Sequence, residues 1–250
     1  MNKTPFHLHG KTIFISGASS GIGRQIAISV SQMGGRVVIT GRNQDRLDET
    51  FKSLSGSGHL TVLGDLTDTN QRDNIIKQLP QLDGVVMNAG MVQAYPIKFM
   101  TLEKIKETFS INYDAVVLLI AGITRNKKLN KGASVVFISS ISSNFPPKGG
   151  SMYSSAKAAI ESFSKVLALE HYTQKIRSNC ILPGMVKTAL YEDVEKVITK
   201  ESLDAHVAKY PLGVGYPEDV ANTAIFLLSD ASRWITGTNL IIDGGCILNA

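Results

Sequence analysis

The chain has 250 residues, 43% of them hydrophobic, enough apolar side chain for one sizeable core. Its formal charge of +5 does not point to nucleic acid, because the bases are scattered and the densest group (Arg125, Lys127, Lys128, Lys131) falls where a helix is expected to end and cations complement its dipole. Two cysteines make no disulfide framework, no run approaches a membrane span and residues 1–10 lack the apolar stretch of a signal peptide, so a cytoplasmic protein with no membrane or nucleic-acid partner is expected.

Short apolar runs alternate with amphipathic stretches from end to end, the pattern of a parallel sheet covered by helices. No Pro/Gly/Ser-rich linker divides residues 1–250, which are read as one domain. His7 and His9 lie in an N-terminal tail without further ligands, and no metal site is expected. Lys11–Ser16 reads as a buried strand. The loop after it, Gly17-Ala18-Ser19-Ser20-Gly21-Ile22-Gly23, leads into a helix over Gly21–Met33. Glycines let the backbone turn sharply and approach a pyrophosphate, and the first N–H groups of a helix favour an anion. Ser19 and Ser20 add hydroxyl donors. Placed between a strand and a helix, the loop reads as nucleotide-binding.

The second strand, Arg36–Thr40, runs into Gly41-Arg42. An NAD(H) site usually has an acid here for the ribose 2′-hydroxyl. Arg42 instead suits a 2′-phosphate, so NADP(H) is preferred, with NAD(H) left open. A helix over Asn43–Leu54, opened by Asn43, is followed by a strand at His59–Leu63, a helix at Thr69–Leu79 and a strand at Gly84–Met87. One long helix is expected over Thr101–Asn126, then a strand at Ser134–Ile138, a helix at Ser151–Tyr172 and a strand at Ser178–Leu182. Residues 187–210 read as a less regular amphipathic helix. Pro217–Leu228 reads as a helix with Pro in its first turn, and Asn239–Ile242 as the last strand. Right-handed crossovers then give a doubly wound parallel sheet of about seven strands with helices on both faces, binding at the C-terminal ends of its strands.

Tyr153 and Lys157 stand four apart at the start of the expected Ser151–Tyr172 helix, so phenol and ammonium share a face. A free tyrosine, with pKa about 10, is a poor acid–base group at neutral pH. A neighbouring cation favours its phenolate. Ser139 and Ser140 end the preceding strand, in the same crevice.

With these residues the chain resembles the short-chain dehydrogenase/reductase family, in its compact Rossmann-type branch. The likeness runs through nearly the whole length: the glycine loop, Asp65, Asn88-Ala89-Gly90, Asn112, Ser140, Tyr153, Lys157, Pro183-Gly184, Thr188, Pro217-Glu218-Asp219-Val220 and Asp243-Gly244-Gly245. Ser16 stands where Thr is commoner, Met87 where Asn is frequent, and Val214 where relatives often carry Arg.

The resemblance implies that Tyr153 protonates a substrate oxygen as hydride passes between nicotinamide and carbon. It implies that Lys157 lowers the tyrosine pKa and holds the ribose, that Ser140 binds the substrate oxygen, and that Asn112 positions a relaying water. Ser140, rather than Ser139, matches the family spacing to Tyr153. Asp65 and Leu66 would contact adenine, Asn88 to Gly90 the adenosine ribose, and Pro183, Gly184, Val186 and Thr188 the carboxamide. The substrate pocket is expected at Gln93, Ser142, Asn144, Phe145, Met152 and Met185, closed by residues 187–210. The implied activity is reduction of a small-molecule carbonyl with NADPH, as in the beta-ketoacyl carrier-protein reductases. An alcohol or sugar-alcohol dehydrogenase running oxidatively, or a non-catalytic NADP(H) sensor, are the alternatives. Two long helices resemble those that build dimers and tetramers in the family, so a homo-oligomer is expected.

Overall fold

The structure, a computed structural model, describes residues 4–188 and 200–249, apart from the side chains of Lys200 and Ser202. Seven strands form one parallel sheet: β1 Thr12–Ser16, β2 Arg36–Gly41, β3 Leu60–Leu63, β4 Leu82–Met87, β5 Leu129–Ile138, β6 Arg177–Pro183 and β7 Asn239–Ile242. Their order is β3-β2-β1-β4-β5-β6-β7, and every pairing is parallel. The winding reverses between β1 and β4, which opens a crevice beyond the C-terminal ends of those two strands.

Among the described residues the helices are α1 Gly21–Gln32, α2 Gln44–Lys52, α3 Thr69–Gln78, α4 Leu102–Phe109, α5 Ala115–Arg125, α6 Ser151–Glu170, α7 Lys200–Val207 and α8 Pro217–Leu228. Strand periodicity sorts the core into two halves. Successive side chains point to opposite faces, and both faces of a parallel sheet are covered, so the strands read as continuous apolar runs. Phe14, Val38, Val85, Phe137 and Leu182 pack with Ile75 and Ile76 of α3, Leu119 and Ile123 of α5 and Ile160 of α6. Ile13, Ile15, Val37, Ile39, Val136 and Ile181 face the other way, onto Ile26 and Val30 of α1 and Val220, Ala224 and Leu228 of α8. This is the doubly wound, Rossmann-like fold read from the sequence.

Capping side chains set several helix starts. Asn43 Oδ1 accepts from Arg46 N at 2.9 Å, Asp68 Oδ1 from Gln71 N at 2.8 Å, and Asp219 Oδ2 from Tyr216 N at 2.7 Å. Two elements depart from the expected boundaries by more than two residues. The helix expected over Thr101–Asn126 is interrupted by a π-turn at Ser110–Asp114, where the buried Asn112 side chain donates to Thr108 O at 3.0 Å. β5 starts five residues earlier than expected, because Leu129 pairs with Leu82 before an irregularity brings the strands into their main register. Of the helical stretch expected over 187–210, residues 189–199 lie outside the described residues. α7 and Tyr210, whose hydroxyl accepts from Met185 N at 3.0 Å, belong to the rest. Among the described residues no helix is long and apolar enough to cross a membrane.

Candidate active site

The glycine loop leaves β1 through Ser16, a fully buried hydroxyl that accepts from Asn88 N at 3.0 Å and Ala89 N at 3.1 Å. It thereby sews the ends of β1 and β4 together on the floor of the crevice. Gly17 and Gly21 take positive φ values of +63° and +52°, a region that side chains disfavour. A Cβ on Gly17 would stand 2.8 Å from Ala89 Cα, and one on Gly23 only 2.3 Å from Gly17 O. Asn88 Nδ2 donates to Gly17 O at 3.1 Å and closes the turn. Ser20, the N-cap of α1, is extended and makes no side-chain cap, and the first turn carries no acid. Across the loop, a Cβ on Gly21 would lie 3.3 Å from Thr188 Cγ2, so Thr188 and the loop face one another.

At the end of β2, Arg42 forms an ion pair with Asp65, Nη1 to Oδ2 3.6 Å, with the guanidinium 69% exposed. Burial pulls the Asp65 carboxyl up, but Thr67 N–H and Oγ, at 2.8 and 2.7 Å, and Arg42 outweigh it and hold the group below its ordinary value. Leu66 is buried, and its carbonyl accepts from Nη1 of the buried Arg72 at 2.9 Å. The residues expected at the adenosine end therefore come together.

At the other end of the crevice, Tyr153 and Lys157 project from one face of α6, with Lys157 Nζ 5.6 Å from the centre of the phenol ring. Nζ is pinned by Ile138 O at 2.8 Å. Burial pushes Lys157 down to about 8, against the pull of Cys180 and Glu161. Burial also raises the Tyr153 phenol above its ordinary value, and the Ser140 hydroxyl bonded to it only partly offsets this. The sequence expectation of a lowered tyrosine is thus outweighed, before any ligand is considered, by enclosure of the ring. Ser139 turns the other way, donating to Glu161 Oε1 at 2.7 Å, while Ser140 caps a short turn by accepting from Ser142 N at 3.1 Å. Asn112 is fully buried. Its Oδ1 accepts from Met91 N at 3.1 Å and its Nδ2 donates to Met91 O at 3.0 Å. A Cβ on Gly90 would stand 2.8 Å from Asn112 Oδ1 and 3.4 Å from Lys157 Nζ, so these three residues converge.

Beyond β6, Gly184 N donates to Ile242 O at 3.0 Å, and Val186 pairs with Gly215 as an isolated bridge. Met185 packs on Tyr210 and Cys246. Of the expected pocket residues, Ser142 is bonded to Ser140, Oγ to Oγ 3.1 Å, Met152 is half-buried, and Asn144 and Phe145 are exposed. The Gln93 amide is engaged by α4, through Glu107 Oε1 at 3.1 Å and Thr108 Oγ1 at 3.2 Å.

A family model described as enoyl-(acyl carrier protein) reductase matches residues 17–246. The 3-oxoacyl-(acyl-carrier-protein) reductase of Rickettsia bellii (strain RML369-C) is 32% identical over 242 residues, 96% of this chain and 98% of that protein. The crystal structure of a short-chain type dehydrogenase/reductase from Mycobacterium marinum superposes with a TM-score of 0.86 at 30% identity, covering 96% and 97% of the two chains. The chain is a short-chain dehydrogenase/reductase. Its relatives include the NADP-dependent (R)-specific alcohol dehydrogenase of Lentilactobacillus kefiri, 32% identical over 247 residues, 95% of this chain and 97% of that protein. The named activities of these relatives are oxidoreductase activities, and this short-chain dehydrogenase/reductase is an oxidoreductase of that family.

Three supporting residues are not marked by any sequence signal for the site. They are Arg72 of α3, Met91 after β4 and Glu161 of α6. Their roles follow from burial and from partners distant in sequence, which local patterns do not record.

Proposed function

We propose that this short-chain dehydrogenase/reductase interconverts a carbonyl and an alcohol with NADP(H), with Tyr153 carrying the proton. The observation that carries the reading is the grouping of the Tyr153 phenol, the Ser140 hydroxyl and the Lys157 ammonium, 5.6 Å from the phenol ring centre, in the crevice that the glycine loop borders. The residues present fit a dinucleotide. The loop has backbone where a Cβ on Gly17 or Gly23 would strike, the first turn of α1 has no side-chain cap, and a largely exposed guanidinium sits at the end of β2. Gly17, Ser19, Ser20, Gly21, Ile22 and Gly23 would hold the pyrophosphate and Arg42 the 2′-phosphate. Asp65 and Leu66 would flank adenine, Asn88 to Gly90 the ribose, and Pro183, Gly184, Val186 and Thr188 the carboxamide. When bound, the nicotinamide supplies or accepts the hydride.

In the reductive direction Tyr153 gives its proton to the substrate oxygen, and burial keeps the phenol in the protonated form that this step uses. Ser140 donates to the same oxygen. In the oxidative direction the Lys157 ammonium favours the phenolate that must take the alcohol proton. Asn112, beside Gly90 and Lys157 Nζ, orients the water that returns the proton to solvent. The names of the rickettsial and Lentilactobacillus relatives are consistent with ketone or β-ketoacyl thioester substrates. The exposed apolar side chains Leu118 of α5, Val166 and Leu169 of α6, and Tyr172 just beyond α6 suit pairing of copies, and light scattering is expected to give a dimer or tetramer.

The test follows nicotinamide absorbance with NADPH and NADH offered separately against ketones, diketones, β-ketoacyl thioesters, keto-sugars and an enoyl thioester. Turnover of a carbonyl compound with NADPH is expected. Preference for NADH would remove the part that rests on Arg42. Tight NADPH binding without turnover of any compound, in either direction, would favour a sensor.

A further inference from the structure

Glu161 lies one turn beyond Lys157 on α6, with only 6% of its surface exposed, and the proposed chemistry makes no use of it. Burying a carboxylate is costly unless its oxygens and its charge are both matched. Its oxygens are matched: Ser139 Oγ donates to Oε1 at 2.7 Å, and Asn239 Nδ2 on β7 donates to Oε2 at 2.6 Å. Ser139 is held in turn by its own N–H, which donates to Ile181 O on β6 at 2.8 Å. The carbonyl just before it, Ile138 O, takes Lys157 Nζ at 2.8 Å. Two consecutive residues at the end of β5 are thus gripped by two side chains of α6 one turn apart. The next residue is Ser140, and the same helix carries Tyr153.

For its charge, the facing group is Lys157, four residues back on the same side of α6. Around Lys157 lie the Tyr153 phenol on α6, its ring centre 5.6 Å from Nζ, the Cys180 thiol on β6 and the Glu161 carboxyl one turn along the same helix face. Burial pushes Cys180 up to about 12 and raises Tyr153, so both are neutral near neutral pH. That leaves the Glu161 carboxyl as the neighbour that works against burial to keep Lys157 charged.

We propose that Glu161 is a positioning residue: its carboxylate is the counter-anion of the Lys157 ammonium and, through Ser139, the anchor that sets Ser140 against Tyr153. The positioning role rests on the reading of Ser140, Tyr153 and Lys157 as reacting groups.

Glu161→Gln separates charge from shape. Asn239 Oδ1 is buried without a partner, so its amide can turn and accept the new N–H, which keeps the bonding frame and removes only the charge. Ser139→Ala does the reverse. The first measurement is melting temperature from pH 6 to pH 10 on ligand-free protein. Lys157 titrates near 8 when folded against an ordinary 10.5, so between those values the unfolded chain binds more protons and stability rises with pH. Without Glu161 the folded value falls further and the rise starts at lower pH. Glu161→Gln is therefore expected to melt below wild type near pH 6, with the gap closing or reversing by about pH 9. In turnover read in the oxidative direction, where the Lys157 ammonium favours the phenolate, the variant's alkaline limb is expected to move down by roughly one pH unit as that ammonium is lost earlier. Ser139→Ala is expected to lower kcat by about 10-fold with that limb unmoved.

A melting deficit equal at every pH, with an unmoved limb, would make Glu161 a structural hydrogen-bond acceptor and overturn the pairing. An unchanged kcat in Ser139→Ala would overturn the anchoring. The melting series needs no substrate. A wild type that reduces nothing therefore overturns the positioning role together with the functional reading, while the charge pairing is judged on its own.

Discussion

Gly23 is the tightest point of the glycine loop. A Cβ there would stand 2.3 Å from Gly17 O and 2.4 Å from Asn88 Nδ2, two atoms that are hydrogen-bonded to each other at 3.1 Å. Neither can step aside cheaply, since Gly17 O is backbone and the Asn88 main chain is held by Ser16 Oγ at 3.0 Å. Gly23→Ala must therefore open the turn. Overpacking costs about 1–3 kcal/mol, and stripping a carbonyl of its buried partner about as much again. The sum, roughly 2–6 kcal/mol, lowers the melting temperature by about 5–20 °C for a chain of this length. Because the displaced backbone is the part assigned to the pyrophosphate, NADPH affinity is expected to fall at least about 10-fold, the equivalent of roughly 1.4 kcal/mol. Gly132→Ala is the control. Its φ is +82° with nothing within 4 Å of the added methyl, so it carries only the left-handed strain of about 1–2 kcal/mol. Calorimetry and NADPH fluorescence titration read both quantities. If Gly23→Ala melts no lower than Gly132→Ala and binds NADPH as wild type does, the steric account of the loop is wrong.

Arg42→Ala removes the guanidinium assigned to the 2′-phosphate, and a charge-assisted hydrogen bond of about 1.5–3 kcal/mol corresponds to a rise of about 10- to 100-fold in the KM for NADPH. The KM for NADH is expected to stay level, and steady-state kinetics with both cofactors check the pair. Asn112→Ala leaves Met91 O, Thr108 O and Met91 N without the partners they now have at 3.0–3.1 Å. Urea denaturation is expected to show a loss of about 3–5 kcal/mol, with slower carbonyl reduction in the folded fraction.

The strands are legible because both faces of a parallel sheet are buried, which leaves runs such as Ile13-Phe14-Ile15 and Val37-Val38-Ile39. The interruption of the expected 101–126 helix is not legible. Its local pattern is helical throughout, and Asn112 is bonded to Met91, which lies 21 residues away in the chain. The early start of β5 is hidden for a similar reason, since it depends on Leu129 pairing with Leu82, 47 residues before it. Family spacing selects Ser140 over Ser139, and in the structure Ser139 is turned inward to Glu161 while Ser140 is bonded to the Tyr153 phenol. The Arg42–Asp65 pair needs the parallel pairing of β2 with β3 to bring its members together. The raised tyrosine is invisible in sequence because spacing records the neighbouring lysine but not the enclosure of the ring.

The central claim is that the Tyr153 phenol carries the proton. Tyr153→Phe removes one oxygen and leaves the ring in place, so the fold and the cofactor cradle should be untouched. Its NADPH affinity, read by fluorescence, is expected to match wild type, while carbonyl reduction falls by about 100-fold or more, the usual worth of a positioned general acid. A Tyr153→Phe protein that binds NADPH normally and still reduces the substrate at a rate close to wild type would contradict the account.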